Sequence, residues 1–250
     1  RATEGYCGVD GQVQVICVGE QHDQPGHHQL QLSLIDALDD DERPLAVGLE
    51  MFRQDSQEIL DLWTANRLSE NDFLPVYHDH WSMWPVYRDI FLHARDNRLA
   101  MIGLNIERGI TRKVARNGFY SLSEQDRQML GDVQCEIDPV YAEYLRQATG
   151  SHSAHGMDYL YFCEAQVVWD TVMARNIVTF LKQNPGHRLV VLAGSAHAWK
   201  FGIPRQMLER AEISYRVVLP EVIGRIDRRG ATSDVADYLW LAFGDAGWEF

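Results

Sequence analysis

The sequence predicts an α/β fold built on a mostly parallel sheet flanked by helices. Five short segments rich in valine, isoleucine and leucine are apolar throughout rather than at alternate positions, which is typical of strands covered on both faces. Helix-like segments separate these strands, and such alternation favours right-handed crossovers between parallel strands. The 250 residues, of which 46% are hydrophobic and 24% charged, have the composition of a globular protein.

The predicted elements follow one another in a regular order. The strands are Val13–Val18, Leu45–Leu49, Leu99–Leu104, Leu189–Leu192 and Tyr215–Leu219. The helices between them are His28–Leu38, Gln57–Trp63, Val86–Arg95 and Glu164–Leu181. In the first helix, Leu30, Leu34 and Leu38 recur at fourfold spacing, which predicts one apolar face turned to the sheet.

The segment between the third and fourth strands is too long for a single crossover. We therefore expect residues 106–162 to form a helical insertion in an α/β core made of residues 1–105 and 163–250. Within the insertion, Ser121 followed by Glu124 fits a capping box and predicts a helix over Ser121–Leu130. The small and polar tract Ala148–Met157 predicts a loop.

Asp170 lies on the same face of the long helix as Gln166 and Met173, because these residues recur at spacings of four and three. A buried carboxylate without a partner is costly. We therefore expect Asp170 to meet a partner such as His22, Arg175 or a backbone amide group.

The charge and the apolar pattern exclude two classes of partner. The formal net charge is −13, and the resulting field repels polyanions, so we expect no nucleic-acid partner. No apolar stretch reaches the roughly 18 to 20 residues of a transmembrane helix. The chain begins at Arg1 rather than methionine, and we expect that an N-terminal segment has been removed.

Polar side chains follow the ends of the first four predicted strands. They are Glu20 and His22, then Glu50, then Asn105, and finally His197. The carboxyl ends of parallel strands share one edge of the sheet, and ligands of open α/β folds bind there. Isolated polar residues after strands are common, but four strand ends with the same character predict a pocket formed by these five residues.

Two kinds of chemistry are open to this pocket. His22, His197, Glu20 and Glu50 are a sufficient ligand set for a divalent metal, and they equally provide a base and an orienting acid for hydrolysis. There is no H-E-x-x-H, G-x-S-x-G or G-x-G-x-x-G motif in the expected place, so these patterns support neither a zinc-protease helix, nor a nucleophile elbow, nor a dinucleotide site.

Other histidines are weaker candidates. His27 and His28 stand where a helix begins, and we expect them to be exposed. In the stretch Tyr77–Trp81 two histidines lie beside aromatic residues, so they either ligate a metal or pack among the rings, and the second interpretation is favoured.

Several segments together resemble a known family, the ChaN-like haem-binding uptake proteins of the Tiki and erythromycin-esterase-like superfamily. The matching segments are G-E-Q-H-D at Gly19–Asp23, G-L-E-M-F at Gly48–Phe52, the strand-end Asn105, the long-helix segment Ala165–Arg175 and the closing motif Ala193–Pro204. The resemblance runs from about residue 13 to residue 220.

This resemblance implies an α/β core with a helical subdomain and a role in bacterial iron or haem uptake. It also implies haem held by a tyrosine at a dimer interface, a frequent lipoprotein anchor and contact with outer-membrane uptake machinery. A periplasmic or outer-membrane-associated location follows from the resemblance, and a cytoplasmic location stays open.

The region Pro139–Phe162 is rich in tyrosine and histidine and is the expected haem site. Tyrosinate is a hard oxygen donor that suits ferric iron. Tyr159 and Tyr161 are the favoured ligands, only one of which can face the iron, and His152 or His155 would hydrogen-bond the phenolate. The alternative is that these tyrosines pack on amphipathic helices with their hydroxyls in water.

The leading functional hypothesis is therefore a haem-binding protein of bacterial iron or haem uptake that works as a homodimer. The alternative is a metal-assisted hydrolase that uses the strand-end glutamates and histidines. Whether the chain is an enzyme stays open.

Overall fold

A computed structural model describes residues 13–39, 43–148, 157–222, 226–228 and 231–241. Within these ranges, six strands form one parallel sheet in the order β3-β2-β4-β1-β5-β6. The predicted α/β fold with a parallel sheet is confirmed. None of the helices in the described ranges is long and apolar enough to cross a membrane.

The strands and helices have the following bounds. The strands are β1 (Val15–Glu20), β2 (Leu45–Arg53), β3 (Ala100–Asn105), β4 (Arg188–Gly194), β5 (Tyr215–Pro220) and β6 (Tyr238–Trp240). The helices are α1 (Pro25–Leu38), α2 (Gln57–Thr64), α3 (Glu70–His80), α4 (Trp84–Asn97), α5 (Arg108–Asn117), α6 (Glu124–Leu130), α7 (Pro139–Ala148), α8 (Met157–Gln183), α9 (Ser195–Ala198) and α10 (Ile203–Leu208).

Several elements were not predicted individually, among them β6, α3 and α5. Strand β6 is a three-residue edge strand, too short to show a pattern of its own. Helix α3 contains Pro75, which the sequence analysis had no reason to place inside a helix. Strand β1 begins two residues later than predicted and continues through Glu20, so Glu20 is part of the strand rather than a residue after it.

The helices cover the sheet on both faces. Helices α1 to α4 pack on one face, where alternate strand residues such as Ile16 and Val18 point into a core rich in aromatic rings. Helices α7 to α10 pack on the other face, which receives Val15 and Cys17. Because both faces are covered, the strands are apolar at nearly every position, which explains the continuous apolar runs in the sequence.

The predicted insertion, residues 106–162, contains α5, α6, α7 and the first turn of α8. Helices α5 and α6 pack against α8 through a small apolar cluster of their own, centred on Val114 and Val168. The division of the chain into core and insertion stays a prediction.

The capping box lies two residues later than predicted. Ser123 accepts a hydrogen bond from the Asp126 amide at 3.1 Å, and the Asp126 carboxylate accepts one from the Ser123 amide, so α6 begins at Glu124. The hydroxyl of Ser121 instead donates to the Gly118 carbonyl at 2.7 Å and closes a 3₁₀ turn. An aspartate can replace the expected glutamate because the same reciprocal pair of bonds forms.

We predict that Gly103→Ala destabilises the protein by about 1–3 kcal/mol, because overpacking costs this much in a close-packed core. A Cβ at Gly103 would overlap the Arg53 carbonyl oxygen in the irregular part of the β2–β3 ladder. Urea unfolding measures the free energy of unfolding. Gly26→Ala is the matched control, since its Cβ would meet only Trp240 at 3.7 Å. Equal stability of the parent and Gly103→Ala would contradict the close approach.

Candidate functional site

The strand-end residues meet in one cleft at the carboxyl edge of the sheet. Glu20 is the last residue of β1, and His22 lies in the turn that follows. Glu50 lies in the irregular part of β2, and His197 lies in α9 directly after β4. The cleft has a volume of about 200 Å³ and is lined by Glu20, His22 and His197, while Glu50 lies beside it, 3.8 Å from His197. The five predicted residues are thus neighbours in space, although Asn105 has a different task, described below.

Glu20 is the most thoroughly bonded carboxylate of the cleft. One oxygen, Oε1, is bonded by His22 Nδ1 at 2.7 Å and by the Tyr87 hydroxyl. The other, Oε2, accepts from Gln31 Nε2 at 2.6 Å and lies 3.4 Å from His28 Nδ1. Burial raises the pKa of Glu20, but the hydrogen bond from His22, the charges of His22 and His28, and the Tyr87 hydroxyl outweigh it and hold the pKa below its usual value.

His22 is held so that one ring nitrogen remains available. Its Nδ1 faces Glu20, whereas Nε2 lies beside Gly194 and has no partner among the described residues. Trp81 packs edge-on against the imidazole at 4.9 Å, and the Arg108 guanidinium covers Trp81 at 5.1 Å. Burial lowers the pKa of His22, but the bond to Glu20 and nearby carboxylates raise it above its usual value.

Glu50 joins the ends of two strands. Its Oε2 accepts the Gly194 amide at 2.7 Å, and its Oε1 lies 3.8 Å from His197 Nε2. A Cβ on residue 194 would lie 3.3 Å from His22 Nε2, a tight contact, so a glycine here lets the imidazole approach the strand end closely.

His197 is fixed by a second buried carboxylate. Its Nδ1 is bonded to Asp170 Oδ1 at 2.6 Å, and the other carboxylate oxygen of Asp170 accepts from the Tyr141 hydroxyl at 2.5 Å. Asp170 therefore has buried partners, as expected, but they are not those we named. Arg175 turns away to the Leu130 carbonyl, and His22 is taken by Glu20.

The electrostatics of His197 favour the charged imidazole. Burial lowers its pKa, but the negative charges of Glu50 and Asp170 and the bond to Asp170 raise the pKa to about 9. His197 is therefore protonated at neutral pH and can donate a hydrogen bond or a proton to a molecule in the cleft.

Asn105 bonds the backbone next to the site. Its amide nitrogen donates to the Glu50 carbonyl at 2.7 Å, and its oxygen accepts the Ile106 amide at 2.8 Å. Ser195 is likewise occupied, since its hydroxyl donates to the Glu20 carbonyl at 3.2 Å. Neither side chain is free to act on a ligand as it stands.

Within the described ranges, no group of three or more His, Cys, Asp or Glu side chains is arranged so that it could hold a metal ion. Each histidine uses its Nδ1 on a carboxylate, and the two carboxylates involved, Glu20 and Asp170, have their oxygens bonded by other side chains as well. The arrangement is that of two histidine–carboxylate pairs, which suits proton transfer.

The expected haem residues differ in their surroundings. The Tyr159 hydroxyl donates to the Ala142 carbonyl of α7, and burial raises the pKa of Tyr159 above its usual value. The Tyr161 ring instead packs on Gly118, and no hydrogen bond of its hydroxyl is found among the described residues. His152 and His155 lie outside the described residues.

Several residues around the cleft were not predicted, and two histidines lie in surroundings other than those expected. Tyr87 and Gln31, which bond Glu20, were not predicted. Tyr141 had been placed in the expected haem region, and Asp170 was expected to have a partner, but not His197. His28 was expected to be exposed, but it is buried, and its Nε2 bonds the His22 carbonyl at 3.0 Å. His27 is buried too, and its Nδ1 accepts the Gln21 amide at 2.9 Å. The spacing of His28 and Gln31 on one face of α1 was a signal that could have been used.

In Tyr77–Trp81, the histidines do not form a pair. His80 is buried and stacks on Phe52 at 4.5 Å, while His78 is exposed. The favoured interpretation, packing among aromatic rings with a solvated rim, describes this stretch.

Comparisons with known proteins agree with the fold. A family model described as "Haem-binding uptake, Tiki superfamily, ChaN" matches residues 11–207. The chain is similar to the structure of ChaN of Campylobacter jejuni with cofacial haem, at 18% identity and a TM-score of 0.68, with 91% of this chain and 87% of that chain covered.

Two further structures are similar in fold. An erythromycin esterase, EreC, in its open conformation gives 15% identity and a TM-score of 0.52, covering 84% of this chain and 70% of that one. The type III effector HopBA1 gives 11% identity and a TM-score of 0.50, covering 92% and 87%. No curated protein sequence matches the chain significantly.

We predict that the His197–Asp170 pair makes stability depend on pH. The pKa of His197 is about 9 in the folded protein and near 6.5 when unfolded, so its contribution is complete below about pH 6.5 and is lost as the pH rises through 9. The free energy of unfolding should fall by up to about 1.4 kcal/mol per pH unit in this window, with His22 acting in the same direction.

Urea unfolding, repeated at several pH values between about pH 6 and pH 10, measures this slope. Asp170→Asn keeps the shape of the side chain but removes its charge, so its slope should be smaller. Substitution of the exposed His78 by glutamine is the control and should leave the slope unchanged. A flat parent profile across the window would show that His197 is not charged in the folded protein.

Proposed function

We propose that this chain, which belongs to the ChaN haem-binding uptake family of the Tiki superfamily, binds haem in bacterial iron or haem uptake. The observation that carries the proposal is the family match over residues 11–207. The similarity to a ChaN structure with bound haem supports the fold that such binding needs. When bound, haem would supply its ferric iron as the centre to be ligated and carried.

The start of α8 offers a surface that fits a porphyrin. Met157 is 56% exposed, Leu160 is 41% exposed and Tyr120, beside Gly118, is 81% exposed. Large apolar side chains exposed together on a soluble protein usually mark a binding surface. A porphyrin has two broad apolar faces, and the cleft of about 200 Å³ is too small for it, so this open surface is the better candidate.

Tyr161 is the better of the two expected ligands. Residues two apart on a helix point to different sides, and Tyr159 turns toward α7, where its hydroxyl is already used on the Ala142 carbonyl. Tyr161 lies toward α5 against Gly118, and its hydroxyl has no partner among the described residues. Its phenolate would ligate ferric iron.

Cations for the propionates are available on α5. Arg112 and Arg116 are exposed on α5, and Arg116 comes two residues before Gly118, the residue that Tyr161 contacts. Neither forms an ion pair with a described residue, whereas their neighbour Lys113 is held by Asp126 at 2.8 Å. Propionate groups would therefore meet unpaired guanidinium groups on this side.

A symmetric dimer follows from the open surface. A haem lying on exposed side chains keeps one face in water, and a second subunit offering the same surface would cover it. Haem should therefore favour dimerisation by mass action. We also propose a periplasmic or outer-membrane-associated location and contact with outer-membrane uptake machinery, in keeping with the family's role in uptake.

We predict that Tyr161→Phe weakens haem binding by about tenfold or more, which is about 1.4 kcal/mol. The substitution keeps the ring on Gly118 and removes only the oxygen. Haemin titration followed at the Soret band measures affinity and ligation. The matched control is Tyr159→Phe, which should keep the parent's spectrum and affinity. If both variants behave like the parent, the iron ligand lies elsewhere and the histidines of the cleft become the candidates.

A second candidate function is hydrolysis in the cleft. The observation that favours it is the pair of histidine–carboxylate units. The Nε2 atom of His22 lies beside Gly194, and that of His197 lies 3.8 Å from Glu50 Oε1. A protonated His197 can polarise a carbonyl or protonate a leaving group, while His22 can position water. The metal-assisted form of this hypothesis named His22, His197, Glu20 and Glu50 as ligands, but among the described residues no group of three or more such side chains is arranged to hold a metal ion, so we propose the metal-free form.

We predict that, if the cleft is catalytic, His197→Gln lowers kcat/KM for small esters by roughly 10²–10⁴, the usual contribution of general acid–base catalysis. The measurement is hydrolysis of p-nitrophenyl acetate and related esters, with His78→Gln as the control. Activity that survives dialysis against EDTA supports acid–base chemistry, and activity restored by Zn²⁺ supports the metal-assisted form. A parent without turnover on any ester, or equal rates for parent and His197→Gln, would rule out this candidate.

A further inference from the structure

A second cavity, of about 410 Å³, lies between α8, α10 and residues 131–138. We call it the rear cavity. It is about twice the volume of the cleft and shares no lining residue with it. Its size falls in the range of small-molecule sites, which run from about 300 to 1,000 Å³.

The floor of the rear cavity is polar and buried. Tyr141, Asp170 and Thr171 line it, and each is at most 2% exposed. Polar groups at such depth are costly unless they serve a partner or a ligand. Because Tyr141 and His197 bond the two oxygens of the same Asp170 carboxylate, the floor lies one hydrogen bond away from the cleft.

Two donors in the cavity wall lack acceptors. Arg210 Nε is buried and has no hydrogen-bond partner among the described residues. Gln206 accepts from Thr171 at 2.8 Å through its amide oxygen, while its amide nitrogen meets no acceptor in the described part of the chain. The Arg210 guanidinium bonds the Gln206 carbonyl at 3.2 Å, so the two donors are neighbours. A buried donor is nearly always satisfied, so Arg210 Nε calls for an oxygen acceptor such as a carboxylate, which the Gln206 amide nitrogen could bond as well.

The charge of the lining argues against a simple anion. Its ionisable groups are the carboxylates of Asp132, Glu136, Asp138, Asp170 and Glu209 and the guanidinium groups of Arg205 and Arg210. Arg205 is already held by Asp138 at 2.5 Å. Arg210 Nη2 lies 3.7 Å from the Asp132 carboxylate, and its Nε remains without an acceptor among the described residues. Glu136, on the 131–138 side, has no partner among the described residues and is free to accept an ammonium group. A ligand that carries one negative and one positive group could bond the Arg210 donor with its negative group and Glu136 with its positive group.

The remaining wall is apolar. Ile137, Val167 and Phe201 border the cavity and would accept a hydrocarbon side chain. We propose that the rear cavity binds a free α-amino acid, with its carboxylate on Arg210 and Gln206 and its ammonium group on Glu136. The site is separate from the surface proposed for haem.

The test is binding of the twenty common free amino acids to the full chain. Each is added at about 10 mM, which saturates a site of millimolar or tighter Kd, and the Tm of the protein is measured. For any amino acid that raises the Tm, called a hit below, the Kd is then measured by titration calorimetry. In Gln206→Leu, Arg210→Met and Glu136→Gln, the hit should bind roughly tenfold more weakly or worse, because each variant removes a charged or donor contact. Gln128→Leu and Arg146→Met, outside the cavity, are the matched controls and should keep the parent's Kd.

Two results overturn the proposal. One is a parent whose Tm no amino acid raises, which would mean that water alone fills the cavity. The other is a hit whose Kd is unchanged in all three cavity variants, which would mean that it binds elsewhere. Glu136 is exposed, so Glu136→Gln keeps the test informative even where a buried substitution disturbs folding. Haem affinity plays no part in either readout.

Discussion

The hydrogen bond from the Gly194 amide to the Glu50 carboxylate is the contact about which the cleft is organised. It joins the ends of two neighbouring strands, and it holds Glu50 3.8 Å from His197. Because residue 194 has no side chain, His22 can close in from the other side. A parallel sheet brings these strand ends to one edge, but this bond decides that two acidic and two basic groups share a small buried volume there.

The two histidines are prepared by different surroundings. Around Glu20, the hydrogen bond and charge of His22, the charge of His28 and the Tyr87 hydroxyl hold the pKa of the carboxyl below its usual value in spite of its burial. Around Asp170, a single tyrosine and His197 take both oxygens, and the imidazole stays charged to about pH 9. The cleft is therefore polar and closely bonded, whereas the proposed haem surface at the start of α8 is open and apolar. Such different environments suit two separate binding tasks in one chain.

Much of this could be predicted from the sequence, and the remainder could not for a physical reason. Strands buried on both faces show continuous apolar runs, and the polar residues at their ends stand out, so Glu20, His22, Glu50 and His197 were found. Tyr87 contributes from the first turn of α4, 67 positions from Glu20, and the packing of α4 against α1 brings it there. Asp170 was recognised as needing a partner, but the partner was set by how α8 lies across the sheet, which no local pattern encodes.

The separation of the haem surface from the cleft can be tested directly with one variant in which His22→Gln and His197→Gln are combined. A haemin titration of this double variant, followed at the Soret band, should give the parent's spectrum and affinity, because neither histidine is part of the surface formed by Tyr161, Met157 and Leu160. Loss of the Soret band, with far-ultraviolet circular dichroism unchanged, would contradict this arrangement and place the haem in the cleft.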